Sequence, residues 1–453
     1  MWRSPLNTYK FEEASPMTKY SKFVKDKLTS IIKEMEESPE TFVKNPGKDF
    51  TRNRKLTFEY VINLLLSMGG NNIYKELLEY FKYDVETATS SAFVQQRSKI
   101  LPSALEYLFK AFTNSFDNYK TFNGYRLLAA DGSKLNIAHN PEDTDTYIKC
   151  QDNTKGFNVI NLNALFDLCN KVYTDASIQP IRKLNENGAL TDMIDKSPIS
   201  GNVIVIADRG YESYNTFAHI QEKGWNYVIR IRDGESKCMA SGLELPSCEA
   251  FDKKIDLKLT RRQTKEIKAN PEIYKFMPKC SKFDFLEFKS PNFYPISFRV
   301  VRFKISDNTY ETIITNLDAN EFSADKIKEL YHMRWGIETS FRELKYAIGL
   351  INFHSKKVDH IAQEVFAKLT MYNFCEIITL NVVITHKQRK HEYQVNFTVA
   401  IHICRYFFRY SSDANPPDVE LLIQQNILPI RKGRKDERKL RAKSSVSFIY
   451  RVA

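Results

Sequence analysis

The chain has 453 residues, 42% hydrophobic and 27% charged, so it carries the apolar material for a large core and two or three structural units. Lys and Arg number 67 against 55 Asp and Glu, and the resulting net charge of +12 favours a polyanionic partner. Seven cysteines at irregular spacing, with no C-x-x-C pair, argue against both a disulfide framework and a zinc site.

The opening MWRSPLNTYKFEE lacks the apolar stretch of a secretory signal, and the most apolar early run, Phe58 to Met68, is too short to span a bilayer. A cytoplasmic protein with no membrane partner is expected. Residues 1–120 read as helices. Val24, Leu28, Ile31 and Ile32 share one stripe, a second helix ends at Gly69-Gly70, and Leu77, Leu78 and Phe81 mark a third. Thr87 to Ser91 offers N-caps for a helix closed by Pro102, whose Gln95, Gln96, Arg97 and Lys99 are expected to be exposed. Such a face suits a helical DNA-binding domain; a plain helical bundle with polar outer faces fits the same pattern.

From Tyr125 the pattern turns to strands. Leu127 to Ala130 is a short apolar run expected to end at Asp131-Gly132-Ser133, and Phe157–Phe166 with Val172–Ile178 form a hairpin about Asn170-Lys171. A helix-permissive stretch around Leu184 to Ile194 precedes Val203 to Ala207, a fully buried strand that delivers Asp208. Ser213 to Lys223 is a helix with Gly224 as its C-cap, followed by a strand at Tyr227 to Ile231. Residues 233–317 alternate basic and apolar side chains and read as a β-rich insertion between 121–232 and 318–390. Helices are expected from Ser323 into Tyr331, from Val358 to Thr385 and from Tyr393 to Tyr410, within a helical C-terminal region 391–453. The segment RKGRKDERKLRAK, Arg431 to Lys443, reads equally as a phosphate-binding tail or a solvated helix end.

The stretch Tyr331 to Lys345 concentrates the chemistry. Leu330, Ile337, Phe341, Leu344 and Ile348 recur at helical spacing, and at about 100° per residue Tyr331, Arg334, Glu338 and Lys345 fall within roughly a 60° arc beside that stripe. One carboxylate between two cations and a phenol suits a phosphodiester held next to a metal ion; a solvated face with an Arg334–Glu338 pair is the plainer alternative. Asp131 and Asp208 stand where apolar strands give out, a position open to sites and to simple turn or cap residues alike. With Glu338 they make three carboxylates from separated segments, a donor set for two Mg²⁺ ions, which prefer oxygen ligands. Phosphate-loop, dinucleotide, H-E-x-x-H and G-x-S-x-G motifs are all missing from the sequence.

The spacing Tyr331-x2-Arg334-x3-Glu338-x6-Lys345 resembles the Y-R-E-K signature of bacterial insertion-sequence DDE transposases, insertion-sequence family four. LLAADGS with Asp131, VIVIADRGY with Asp208, the long β-rich interval, RWGIETSFRELK and the N-terminal SSAFVQQRSKI follow in the matching order. The resemblance implies an α/β, ribonuclease-H-like catalytic core interrupted by a β-rich insertion. It implies Asp131, Asp208 and Glu338 as catalytic metal ligands for Mg²⁺, with Mn²⁺ substituting, and Tyr331, Arg334 and Lys345 as DNA-binding residues. The implied partners are double-stranded DNA, at transposon ends and target, and a second copy of the chain in a homodimeric synapse. Cleavage at the terminal inverted repeats, a hairpin intermediate and insertion into target DNA are implied as well. The chain departs from one relative's pattern at Gly210, where an acid follows Asp-Arg. A stacking aromatic expected in the insertion cannot be chosen among Phe283, Phe285, Phe288, Phe298 and Phe303. A transposase-derived DNA-binding protein without catalysis, and a nuclease without strand transfer, are the alternatives.

Overall fold

A computed structural model of the chain describes residues 16–52, 54–150, 155–232, 239, 242–307, 309–382, 393–409 and 417–430. Its described residues divide into a helical unit, built from residues 16–115 and 363–430, and a sheet unit of residues 116–362. The basic segment Arg431 to Lys443 lies outside the described residues.

In the helical unit, α1 (Pro16–Glu37) buries Val24, Leu28, Ile32 and Met35, the period-3.6 stripe of an amphipathic helix. Helices α2 (Phe58–Ser67), α3 (Ile73–Tyr80) and α4 (Ser90–Arg97) are each started by a side-chain cap, from Thr57, Asn72 and Thr89 respectively. Pro102 closes the α4 segment and then serves as the first residue of α5 (Pro102–Asn114), where its missing N–H costs nothing.

Of the α4 face expected to be exposed, Gln95 is exposed and Lys99 half-buried, but the other two residues are not. Gln96 is buried, and Arg97 is fully buried, with its Nη1 2.8 Å from Glu364 Oε1 and its Nε donating to Gln363 Oε1 at 2.8 Å. A buried guanidinium needs such partners, and they come from 266 and 267 residues away, which no local pattern announces.

The sheet unit is built on one ten-stranded sheet. Its first part comprises β1 (Arg126–Ile137), β2 (Tyr147–Ile148), β3 (Phe157–Asp167) and β4 (Val172–Pro180), with Lys171 in the left-handed region at the β3–β4 turn. After α6 (Glu186–Lys196) come β5 (Val203–Ala207), α7 (Tyr214–Glu222) and β6 (Asn226–Ile231). Helix α7 is capped by Ser213 and closed at Gly224 with φ +73°. Strands β7 (Phe251–Thr260), β8 (Tyr274–Phe276), β9 (Phe293–Ser306) and β10 (Thr309–Thr315), with the short α8 (Lys265–Ala269), extend the same sheet. The order is β2-β3-β1-β5-β6-β10-β9-β7-β8, with β4 on β3. The strands β1, β5 and β6 are parallel neighbours, while β3 runs antiparallel to β1 and β4.

One strand end is corrected. β1 does not stop at Asp131 but continues through Gly132 and Ser133 to Ile137, because β3 pairs it from Asp167 opposite Leu128 to Asn158 opposite Ile137. What ends at Ala130 is the parallel pairing with β5.

The sheet unit goes on with α9 (Ala324–Met333), α10 (Trp335–Arg342) and a π-helical turn at Glu343–Ala347. Beyond them, α11 (Val358–Thr379) ends six residues before the expected Thr385. Tyr393 does not open a helix: Tyr393–Val395 is a short strand, β11, and the helix, α12, spans Phe397–Arg409. After α13 (Val419–Gln425), β12 (Ile427–Pro429) pairs β11, so a non-local partner overrides the helical pattern there. Among the described residues, no helix is long and apolar enough to cross a membrane.

Candidate active site

The parallel register of β1 on β5 runs from Arg126 opposite Val203 to Ala130 opposite Ala207. The next residue of each strand is an aspartate, so Asp131 and Asp208 stand side by side on backbones about 4.8 Å apart. Side chains alternate along a strand, and Leu127, Ile204 and Ile206 pack against Ile327 and Leu330 of α9. Asp131 and the extended Asp208 therefore belong to the sheet face that α9 covers.

Helix α9 begins at Ser323, whose hydroxyl caps Lys326 N–H. The helical run is interrupted at Arg334 and resumes as α10, which carries Glu338. Leu330, Ile337, Phe341, Leu344 and Ile348 are all buried, as the stripe predicts. Two contacts seat α10 on the sheet: Tyr173 Oη lies 2.8 Å from Ser340 Oγ, and Gly336 passes close to Leu168. A Cβ at position 336 would come within 2.8 Å of Leu168 Cδ2, so glycine permits the approach. Lys345 lies in the π-helical turn, where Ile348 N–H bonds the Glu343 carbonyl and widens the helix. Lys345 Nζ donates to the Lys134 carbonyl on β1 at 2.9 Å.

Electrostatics tie these groups together. Burial pushes the Asp131 carboxyl up to about 6, with Asp208 and Glu338 adding to the rise and the Gly132 N–H and Arg334 opposing it. Arg334 Nη2 donates to Glu338 Oε1 at 2.8 Å. Burial works against the Arg334 charge, but Tyr331, Glu338 and Asp131 outweigh it. Burial lowers Lys345, and Asp131 partly restores it. Tyr331 is buried with no well-formed hydrogen bond to its hydroxyl.

A fourth carboxylate, Glu186 at the start of α6, escapes sequence reading because it looks like an ordinary first-turn acid. A Cβ at Gly132 would lie 2.5 Å from Glu186 Oε1, and Asn161 Nδ2 donates to that oxygen at 3.4 Å. The nearby Tyr211 phenol is pushed up by burial and then by Asp131, Glu186 and Asp208 together. The signal was the glycine after Asp131, which leaves room for a neighbour.

Residues 122–374, more than half of the chain, match the family model described as a transposase DDE domain. The chain belongs to this DDE transposase family. No curated protein matches it. Among solved structures, a piggyBac transposase synaptic complex with hairpin DNA aligns over 93% of this chain and 86% of that one, at 12% identity and a TM-score of 0.43.

Among the described residues, no three His, Cys, Asp or Glu side chains form a ready-made metal site. Each acid of the trio has one oxygen engaged: Asp131 Oδ1 with Gly132 N–H, Asp208 Oδ1 with Gly210 N–H, both at 2.8 Å, and Glu338 Oε1 with Arg334. The donor chemistry fits a hard divalent cation all the same. All three are carboxylates with a second oxygen, and the crowding of negative charge at Asp131 is what a cation would relieve.

In the metal-free transposase the burial of Asp131, with Asp208 and Glu338 beside it, has a measurable cost. An aspartate titrates near 3.9 when unfolded, so the folded chain holds the Asp131 proton more tightly. Stability should therefore fall as pH rises from about 4 to about 6, by up to roughly 3 kcal/mol, and stay lowered above that window. With chelator present, Asp131→Asn should melt several degrees above the parent at pH near 7 and level with it near pH 4. Equal melting temperatures at both pH values would contradict this.

Proposed function

We propose that this transposase is of the insertion-sequence kind, family four, and acts on double-stranded DNA at the terminal inverted repeats of its element. The observation that carries the reading is the β1–β5 register, which sets Asp131 beside Asp208, with Glu338 in electrostatic reach. The order β4-β3-β1-β5-β6, with α6 before β5 and α7 between β5 and β6, supports a ribonuclease-H-like core, and β7 to β10 the β-rich insertion of residues 233–317.

Asp131, Asp208 and Glu338 would hold Mg²⁺, with Mn²⁺ able to substitute. Bound there, divalent ions supply an activated water and a Lewis acid for phosphodiester cleavage. The chain's own residues do the rest. Arg334, freed from Glu338, faces the charge that builds on the phosphoryl oxygens, and Lys345 grips the terminal phosphates. Tyr331 backs Arg334, its ring centroid 5.7 Å from the guanidinium carbon. Water attacks phosphorus at the element's end and the 3′-oxygen leaves as a hydroxyl. That hydroxyl attacks a phosphodiester of the opposite strand, closing a hairpin as the bond to the flanking DNA's 3′-oxygen breaks. Water then reopens the hairpin and frees the 3′-hydroxyl again, which attacks a target phosphodiester and displaces a target 3′-hydroxyl. A homodimer pairing two ends follows from the same resemblance, as does action in a bacterial cytoplasm.

The test is an assay on inverted-repeat DNA taken from the sequences flanking the gene. Nicking and hairpin formation should require Mg²⁺ or Mn²⁺, and joined products should appear with a target plasmid. Cleavage without joining would reduce the protein to a nuclease; binding without cleavage would make it a DNA-binding derivative.

A further inference from the structure

The helical unit holds a concave basic site that neither the family match nor the active site explains. Residues 43–52 and 54–56 belong to a loop pinned to the end of α4: Val43 bridges Ile100, Lys44 N–H bonds the Lys99 carbonyl at 2.8 Å, and Leu101 N–H bonds the Phe42 carbonyl at 2.9 Å. Within it, Lys48 and Asp49 N–H both bond the Asn45 carbonyl, at 3.1 and 3.0 Å. Gly47 and Phe50 take positive φ values of 73° and 58°. A phenylalanine in that region is strained, and it is held by an edge contact to Phe58 at 5.6 Å.

This fold encloses a cavity of about 430 Å³ lined by Lys48, Arg52, Arg54 and Lys99, together with Phe50 and Gln96. No acid lines it. The one acid of the loop, Asp49, is turned inward, its Oδ2 accepting from Asn45 N–H and Nδ2 at 3.0 and 3.1 Å. Lys48, Arg52 and Arg54 are exposed and form no ion pair among the described residues. Lys99 is steered by Gln96 Oε1, at 2.9 Å from its Nζ, and by the Phe50 ring, at 5.5 Å.

We infer that this loop is a preorganised clamp for the phosphates of a DNA backbone, away from the active site and resting on the proposed action on DNA. Several unpaired cations on a braced loop match a polymer of phosphates: affinity is gained through counterion release, and little ordering entropy is lost. The clamp positions the helical unit on a duplex without reading its sequence. Of the α4 face expected to be exposed, Gln96 and Lys99 line this cavity.

The experiment measures binding of the full chain to a duplex of about 30 base pairs, without divalent metal, between about 50 and about 200 mM salt. The Lys48→Ala, Arg52→Ala, Arg54→Ala triple variant is compared with a control lacking three exposed cations of the same unit, Lys22→Ala, Lys33→Ala, Lys75→Ala. Each lost phosphate contact should lower the log–log salt slope by about 0.9 and affinity near 0.1 M salt by roughly tenfold. The clamp variant should lose two to three units of slope and the control less than one, with both melting like the parent. Equal loss in the two variants, or an unchanged slope in the clamp variant, overturns the inference and leaves the proposed function standing. A parent chain that binds no duplex overturns both.

Discussion

Asp131→Asn, Asp208→Asn and Glu338→Gln should each lower metal-dependent cleavage of element-end DNA by about 10³-fold or more, and leave duplex binding at least as tight as the parent's. The size follows from what each acid does. Every one removes a charged oxygen donor from a site where burial first, and then Asp208 and Glu338, raise the Asp131 carboxyl. Binding is spared because a lost carboxylate reduces repulsion of the phosphate backbone. Glu338→Gln has a second consequence, since it loosens the charged partner that Arg334 now has at 2.8 Å. Full cleavage by any of the three variants would remove that residue from the site.

The largest effect on folding should come from Glu364→Ala. Arg97 has no exposed surface, its partner's side chain is 3% exposed, and their separation is 2.8 Å. Removing the carboxylate strands a guanidinium inside the helical unit, at a cost of about 3–5 kcal/mol. The second partner, Gln363, can answer Arg97 only with a neutral amide oxygen. Chemical denaturation should show that loss for Glu364→Ala, while the double change Arg97→Met, Glu364→Leu should recover most of it because neither member of the pair is left buried without the other. A double variant as unstable as the single one would mean that packing, not the orphaned charge, sets the cost.

Much of this architecture is written locally. Val203 to Ala207 is an unbroken apolar run and is a buried strand, Ser213 and Gly224 bracket α7, and Asn170-Lys171 turns between β3 and β4. Where the reading failed, a distant partner decided. Asp131-Gly132-Ser133 looks like a turn, yet β3 supplies hydrogen bonds along the whole of β1. Arg97 looks like an exposed base reader, yet Glu364 and Gln363 draw it inside. Tyr393 sits in a helical pattern, yet Pro429 faces it across a strand pair. In the candidate site, the helical stripe around Glu338 was legible because packing is periodic. The place of Glu186 was not, because it depends on the register of β1 with β3 and on a missing side chain at Gly132.

The most direct measurement is anomalous diffraction from crystals of the chain with cleaved end DNA and Mn²⁺. Manganese peaks should appear ligated by Asp131, Asp208 and Glu338, with Arg334 moved from the glutamate to the DNA. Glu338 still paired to Arg334, with manganese absent from the two aspartates, would contradict this.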